Sequence, residues 1–215
     1  MNHRQLSANR THRDRSTRGT LVTVTTLLLA LAAPARAQED IQAPAGIQSL
    51  QVGSDKRAPE VPASLQVPVG NKVSFHAYAV GVQIYGATAS ATSPTGFAWT
   101  FRAPEAVLFD AEGNVVGMHY AFAGPTRPAW ESESGSRVVG ARTVPPVTVT
   151  SNAIPWLILS AVPDDTIGPG IFARTTYIQR VNTTGGLAPA TAPTALGQEA
   201  RVPYTAEYFF FRATK

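Results

Sequence analysis

Between residues 72 and 212 the chain is a succession of short runs of Val, Ile, Thr and aromatic residues separated by Gly, Pro, Asn and Asp. No stretch of a dozen residues repeats apolar side chains at i, i+3, i+4 and i+7, so the pattern predicts strands. In KVSFHAYAVGVQIY (72–85), Val73, Phe75 and Ala77 share one parity and Val80, Val82 and Ile84 the other, which predicts a bulge or bend just before Gly81. Ala106–Phe109 and Val115–Val116 flank Asp110-Ala111-Glu112-Gly113-Asn114, a hairpin turn in which Gly113 supplies a positive φ. Glu133 to Gly140 (ESGSRVVG) echoes that device. Ile154–Leu159 is apolar on both parities and predicts a strand covered on two faces. Residues 171–182 and 201–212 predict two longer strands; in the second, Val202, Tyr204, Ala206, Tyr208 and Phe210 share a face. The expectation is a mostly β, single-domain antiparallel sandwich or barrel, and the pattern does not choose between the two.

The aromatic residues mark where this domain begins. All 18 lie at or beyond Phe75, and aromatic side chains dominate core burial, so a β-rich domain is expected over residues 63–215. Residues 38–62 are polar, aperiodic and punctuated by Pro and Gly, which reads as a linker or a strap over the domain. Upstream, residues 1–19 hold five Arg against the single acid Asp14, an apolar run follows from Thr20, and Ala35-Arg36-Ala37 ends the segment. This is the pattern of a secretory signal peptide over residues 1–37, with cleavage expected after Ala37. The apolar run carries Thr at 20, 23, 25 and 26 and is shorter than the roughly 20 residues a membrane span needs, so no stable span is expected after cleavage. A secreted or periplasmic protein follows, and the lack of an Arg-Arg pair favours general secretion.

Charge changes meaning once that segment is set aside. The whole chain is formally +4, but beyond residue 37 it holds 12 basic and 13 acidic residues with no basic cluster denser than Lys56-Arg57. The electrostatic term that drives nucleic-acid binding is missing, and no nucleic-acid partner is expected. The absence of Cys excludes thiol catalysis, disulfides and Cys-based metal sites.

The order of motifs is distinctive: FHAYAVGVQIY, W-x-F-x-x-PEAxLFD with GNVVGxHY, AGPT and WE, GSRVVGAR, IPWLILSA, TTYIQRVNTTGG-x-AP and GQEARVPYTAEYFFF. Over residues 62–212 this resembles the exported family catalogued as domain of unknown function 3455. The resemblance implies export and one fold, and transfers no chemistry. Family members commonly carry a Cys after the Q-I-Y motif and another after G-G-x-A-P, where this chain has Gly86-Ala87 and Ala192-Pro193. The family's G-P-T-W-E pattern is interrupted here as Gly124-Pro125-Thr126-Arg127-Pro128-Ala129-Trp130-Glu131.

Candidate chemistry is sparse. Two His follow residue 37, His76 and His119, both in predicted strands. A catalytic zinc would need both plus a carboxylate such as Glu131, Glu105 or Asp110, and no ligand-type spacing supports one, so no metal is expected. G-x-S-x-G is absent, and Gly135-Ser136 reads as turn chemistry. Carboxylate pairs for glycoside hydrolysis can be drawn from Glu105, Asp110, Glu131 and Glu133, though solvated hairpin ends account for them. No nucleotide-binding glycine motif occurs, so no cofactor is expected. Arg180, on a strand before a polar Gly loop, suits either reception of an anion or an ion pair with Glu131 or Glu207. Trp130 is expected to be exposed in a Pro-rich loop, Trp156 to be core.

The candidate binding residues are therefore His119, Glu131, Arg180 and Trp130, with the Tyr120–Trp130 loop folding back so that Glu131 bonds His119 and raises its pKa. Two functions fit: a non-catalytic binding or surface-associated protein for a small molecule, glycan or surface component, and a hydrolase-like enzyme with His119, Glu131 and Arg180 at its site.

Overall fold

The computed structural model describes residues 56–124 and 127–215. The expected signal peptide, and the expected linker up to residue 55, lie outside the described residues. The fold is one antiparallel sheet of eight strands closed into a barrel: β1 (Asn71–Ala89), β2 (Phe97–Phe109), β3 (Val115–Ala121), β4 (Pro128–Ser132), β5 (Arg137–Arg142), β6 (Leu157–Ala161), β7 (Tyr177–Gly185) and β8 (Glu199–Ala213). Each strand pairs with the next, and β8 returns to β1 with Asn71 opposite Ala213 and Gly86 opposite Glu199. Of the two expected architectures, the closed one is adopted. Among the described residues no helix is long and apolar enough to cross a membrane.

In this up-and-down order successive connections alternate between the two ends of the barrel. One end receives the β2–β3 and β4–β5 turns, where Gly113 (φ 86°) and Gly135 (φ 82°) adopt the left-handed conformation that the repeated hairpin device requires. Asp110 fixes the first turn by accepting from the Asn114 amide at 2.8 Å, and the Ser132 hydroxyl fixes the second by accepting from the Ser136 amide at 3.1 Å. This end is packed solid. Phe75, Phe172 and Phe210 meet with ring centroids 4.6 to 6.1 Å apart, against Trp130, Val138 and Ile178. Each such side chain contributes on the order of 1.5–3 kcal/mol by burial.

Phe172 corrects one predicted element. Residues 171–174 are a turn and not strand, because Gly168-Pro169-Gly170 breaks extension and the Ala173 and Thr175 amides bond back to Gly170 and Phe172 carbonyls. The turn pushes Phe172, fully buried, into the barrel end as a plug. In β8 the inward row is the one the alternation predicts: Tyr204, Ala206, Tyr208 and Phe210 all enter the core.

In β1 the register departs from expectation. The bulge in the β1–β8 pairing falls between Val73 and Phe75, so Val73 packs outside and Phe75 inside. There is no change of face before Gly81. Ala77, Ala79, Gln83 and Tyr85 all keep the inward parity, and Val80 lies outside against Phe109 and Val107. The apparent phase change is a change in the chemistry of the interior, from apolar to polar.

Residues 56–67 run over the outer face of β1, β7 and β8. Val61 and Val67 pack on Val73, Val181, Phe209 and Phe211, and the buried Gln179 amide donates to the Leu65 carbonyl at 2.6 Å. Leu65 is fully buried. The described part of the expected strap thus lies on the sheet, and the covering continues past residue 62.

Candidate functional site

Opposite the plugged end the barrel is not filled. A cavity of about 620 Å³ opens there, within the range of small-molecule sites. Its walls are Phe101, Pro104, Pro128, Leu157 and Leu159. The β5–β6 loop crosses the mouth and contributes Pro146, Ile154 and Pro155. That loop is tied down: Val147 and Trp156 exchange two backbone bonds of 2.9 Å, the Ile154 amide donates to Gly185, and the buried Thr183 hydroxyl donates to the Ile154 carbonyl at 2.6 Å.

The polar lining is Gln83, Tyr85, His119, Arg142 and Arg180. No Asp or Glu is among the described lining residues. Arg180 stands on the inward face of β7, opposite Tyr208 and Leu157, and its Nε and Nη2 donate to the Pro155 carbonyl at 3.2 and 2.8 Å. Neither ion pair considered from the sequence forms: Glu207 bonds His76 and Asn182, and Glu131 bonds Tyr120. The guanidinium therefore keeps its charge uncompensated by any acid of the cavity wall.

His119 enters from β3 and is 2% exposed. Its Nδ1 lies 2.8 Å from the Ala129 carbonyl, which can only accept, so Nδ1 carries the proton. Burial, and secondarily the Arg180 charge, hold the imidazole pKa down at about 3, against the opposing pull of the Ala129 bond. This reverses the expected upward shift. The ring is neutral at physiological pH, and Nε2 is left as a lone pair.

Trp130 is the second correction. It is 1% exposed and stacks on His119 with ring centroids 4.5 Å apart and planes 10° from parallel. The reason is register: residues 128–132 are strand, not loop, and Trp130 sits directly across from His119. The same register sends Glu131 to the outer face, because neighbours along a strand alternate. There it accepts from the Tyr120 hydroxyl at 2.6 Å and faces Arg137 at 4.0 Å. The structure thus brings His119, Trp130 and Arg180 together and leaves Glu131 on the other side of the sheet. Trp156 is only partly buried, on the outer face with Val73 and Phe209. His76 also faces outward, stacked on Phe209 and bonded to Glu207 at 2.9 Å. Among the described residues no three His, Asp or Glu side chains gather as metal ligands.

Behind the cavity lie Tyr204 and Tyr208, both buried. Tyr208 leans on His119 and Trp130, at 5.0 and 5.3 Å between ring centroids. Burial pushes both phenol pKa values up, and Arg180 draws both down in part. Tyr204, Tyr208 and Gln83 are near enough to influence one another, yet among the described residues the two hydroxyls and the Gln83 Nε2 make no hydrogen bond of ordinary geometry. Tyr85 does find a partner, donating to the Gly186 carbonyl at 2.6 Å. Gln83, Tyr85, Arg142, Tyr204 and Tyr208 were not among the site residues expected from the sequence. The signal for the first two was present, as polar residues on the inward parity of an otherwise apolar strand.

A family model described as "Protein of unknown function (DUF3455)" matches residues 68–212, in agreement with the motif resemblance. No curated protein and no solved structure matches the chain.

Proposed function

Because the chain belongs to the DUF3455 family, whose function is unknown, its role has to be argued from its own site, and we propose that it is an exported, non-catalytic protein that binds a small organic anion in the open end of the barrel. The observation that carries this reading is a cavity with two arginines, Arg142 and Arg180, no acid among its described lining residues, and walls mostly of proline, aliphatic and aromatic side chains. A cation beside low-dielectric walls attracts an anion more strongly than it would in water, and apolar walls favour a carboxylate attached to a hydrocarbon over inorganic anions. Export rests on the pattern of residues 1–37.

A hydrolytic reading would require the Glu131 carboxylate beside His119, and those side chains leave the sheet on opposite faces. The test is calorimetric titration of the purified protein with benzoate, phenylacetate and hexanoate, each paired with its neutral amide. At least one acid is expected to bind ten-fold or more tightly than its amide, with Arg142→Ala, an exposed rim position, weakening it. Amides that bind as well as their acids would overturn the anion reading.

A further inference from the structure

The deep wall of the cavity has a donor–acceptor pattern that the charge argument does not use. His119 Nε2 is an acceptor only, since Nδ1 is committed to the Ala129 carbonyl. Among the described residues it has no hydrogen-bond partner, although His119 is almost wholly buried and lines the cavity. The same part of the barrel holds donors that also lack partners among the described residues: Gln83 Nε2 and the hydroxyls of Tyr204 and Tyr208. Gln83, 3% exposed, lines the same cavity, and the Tyr208 ring is 5.0 Å from the imidazole.

Buried polar groups in folded proteins are nearly always satisfied, and each one left unmade costs roughly 1–3 kcal/mol. Here the unpaired imidazole nitrogen and the unpaired Gln83 amide belong to two residues of one cavity wall, with the Tyr204 and Tyr208 hydroxyls behind it, a set that suits a polar group arriving in the cavity. We propose that the bound acid also carries a hydroxyl, which reaches the floor of the cavity, donates to His119 Nε2 and accepts from the Gln83 amide. A hydroxyl donates one bond and accepts two, so it can satisfy an acceptor and a donor on the same wall at once. An ether or a carbonyl would accept from Gln83 but leave Nε2 unpaired, and a second carboxylate would face the lone pair with like charge. The ligand class is thus a hydroxy acid: the anion toward Arg180 and Arg142, hydrocarbon between the proline and aliphatic walls, hydroxyl against His119.

This rests on the anion-binding reading and extends it. The experiment titrates the purified protein with three families of probe: benzoate, phenylacetate and hexanoate; their hydroxylated forms (3- and 4-hydroxybenzoate, 4-hydroxyphenylacetate, 6-hydroxyhexanoate); and the corresponding methyl ethers. The expected result is that at least one hydroxy acid binds about ten-fold more tightly than both its parent acid and its methyl ether, as a site built around a hydroxyl discriminates against analogues lacking it. The preference over the parent should vanish in His119→Phe, whose ring still stacks on Trp130, and shrink in Gln83→Leu. Parent acids that bind as tightly as every hydroxylated form would overturn the hydroxyl assignment and leave anion binding standing. A preference that survives in both variants would overturn the role of His119. If no acid binds, both readings fall. The ether comparison uses the unaltered protein, so it decides the matter even where a variant fails to fold.

Discussion

Acid should destabilise this protein through His119, by an amount that can be worked out. The folded imidazole has a pKa of about 3, first because burial penalises its charge and then because Arg180 repels it, against an ordinary value of 6.5. Between those values the unfolded chain binds a proton that the folded chain refuses, so stability must fall as the pH is lowered through this window. Above about 6.5 the group exerts no pH dependence. Each unit inside the window is worth about 1.36 kcal/mol, and going from pH 7 to pH 4 therefore removes about 3 kcal/mol through one side chain. That is a large part of the ~5–15 kcal/mol typical of a folded domain. Of the groups facing the ring, Tyr208 is pushed up by its own burial and stays neutral throughout. The assay is urea denaturation of the wild type and His119→Phe between pH 7.5 and 4. The variant carries a fixed cost for the unpaired Ala129 carbonyl, so the informative quantity is the difference in slope. Wild type should lose about 3 kcal/mol relative to the variant. Parallel curves would refute a neutral imidazole buried in the barrel.

Four further outcomes are expected. Gln83→Leu removes a buried donor without a partner, so thermal denaturation should show unchanged or raised stability, by up to about 1 kcal/mol, even as ligand binding weakens. Gly81→Ala would place a Cβ 2.0 Å from the Glu105 carbonyl oxygen on the paired strand, and chemical denaturation should record a loss of at least about 2 kcal/mol, as backbone cannot yield as a side chain can. Phe172→Ala unplugs the closed end and should cost about 3–5 kcal/mol in the same measurement. Burial opposes the charge of Glu207, but the bonds from His76 and Asn182 outweigh it and hold its pKa below the ordinary 4.5; its stabilising effect is therefore present above that value and lost in acid. Glu207→Gln should be less stable than wild type at neutral pH, with the two denaturation curves converging below about pH 4.

What the sequence could disclose depended on how local the cause was. The hairpin turns at Gly113 and Gly135 were readable because a positive φ is a property of one residue. The inward row of β8 was readable because five residues share a strict alternation. The β1 bulge was misplaced by several residues, since an apolar-to-polar change along one face mimics a change of face until the partner strand is known. Trp130 was assigned to the surface on its Pro-rich surroundings, while its burial follows from the pairing with His119 across β3 and β4. The same pairing parts Glu131 from His119. Arg142, Tyr204 and Tyr208 converge from β5 and β8, so no spacing in the chain could have grouped them.

The seam between β1 and β8 also governs when the cavity comes into existence. It joins residues 71–86 to residues 199–213, so the ring closes only across nearly the whole domain. Contacts of that span are slow to form, because the intervening chain must be ordered before they repay its lost freedom. Until β8 arrives, β1 and β7 both present open edges that invite pairing with other chains, and Arg180 has no Tyr208 across from it. A chain stopped short of β8 would thus be sticky and empty at once. The walled cavity and protection from self-association are acquired in a single late event.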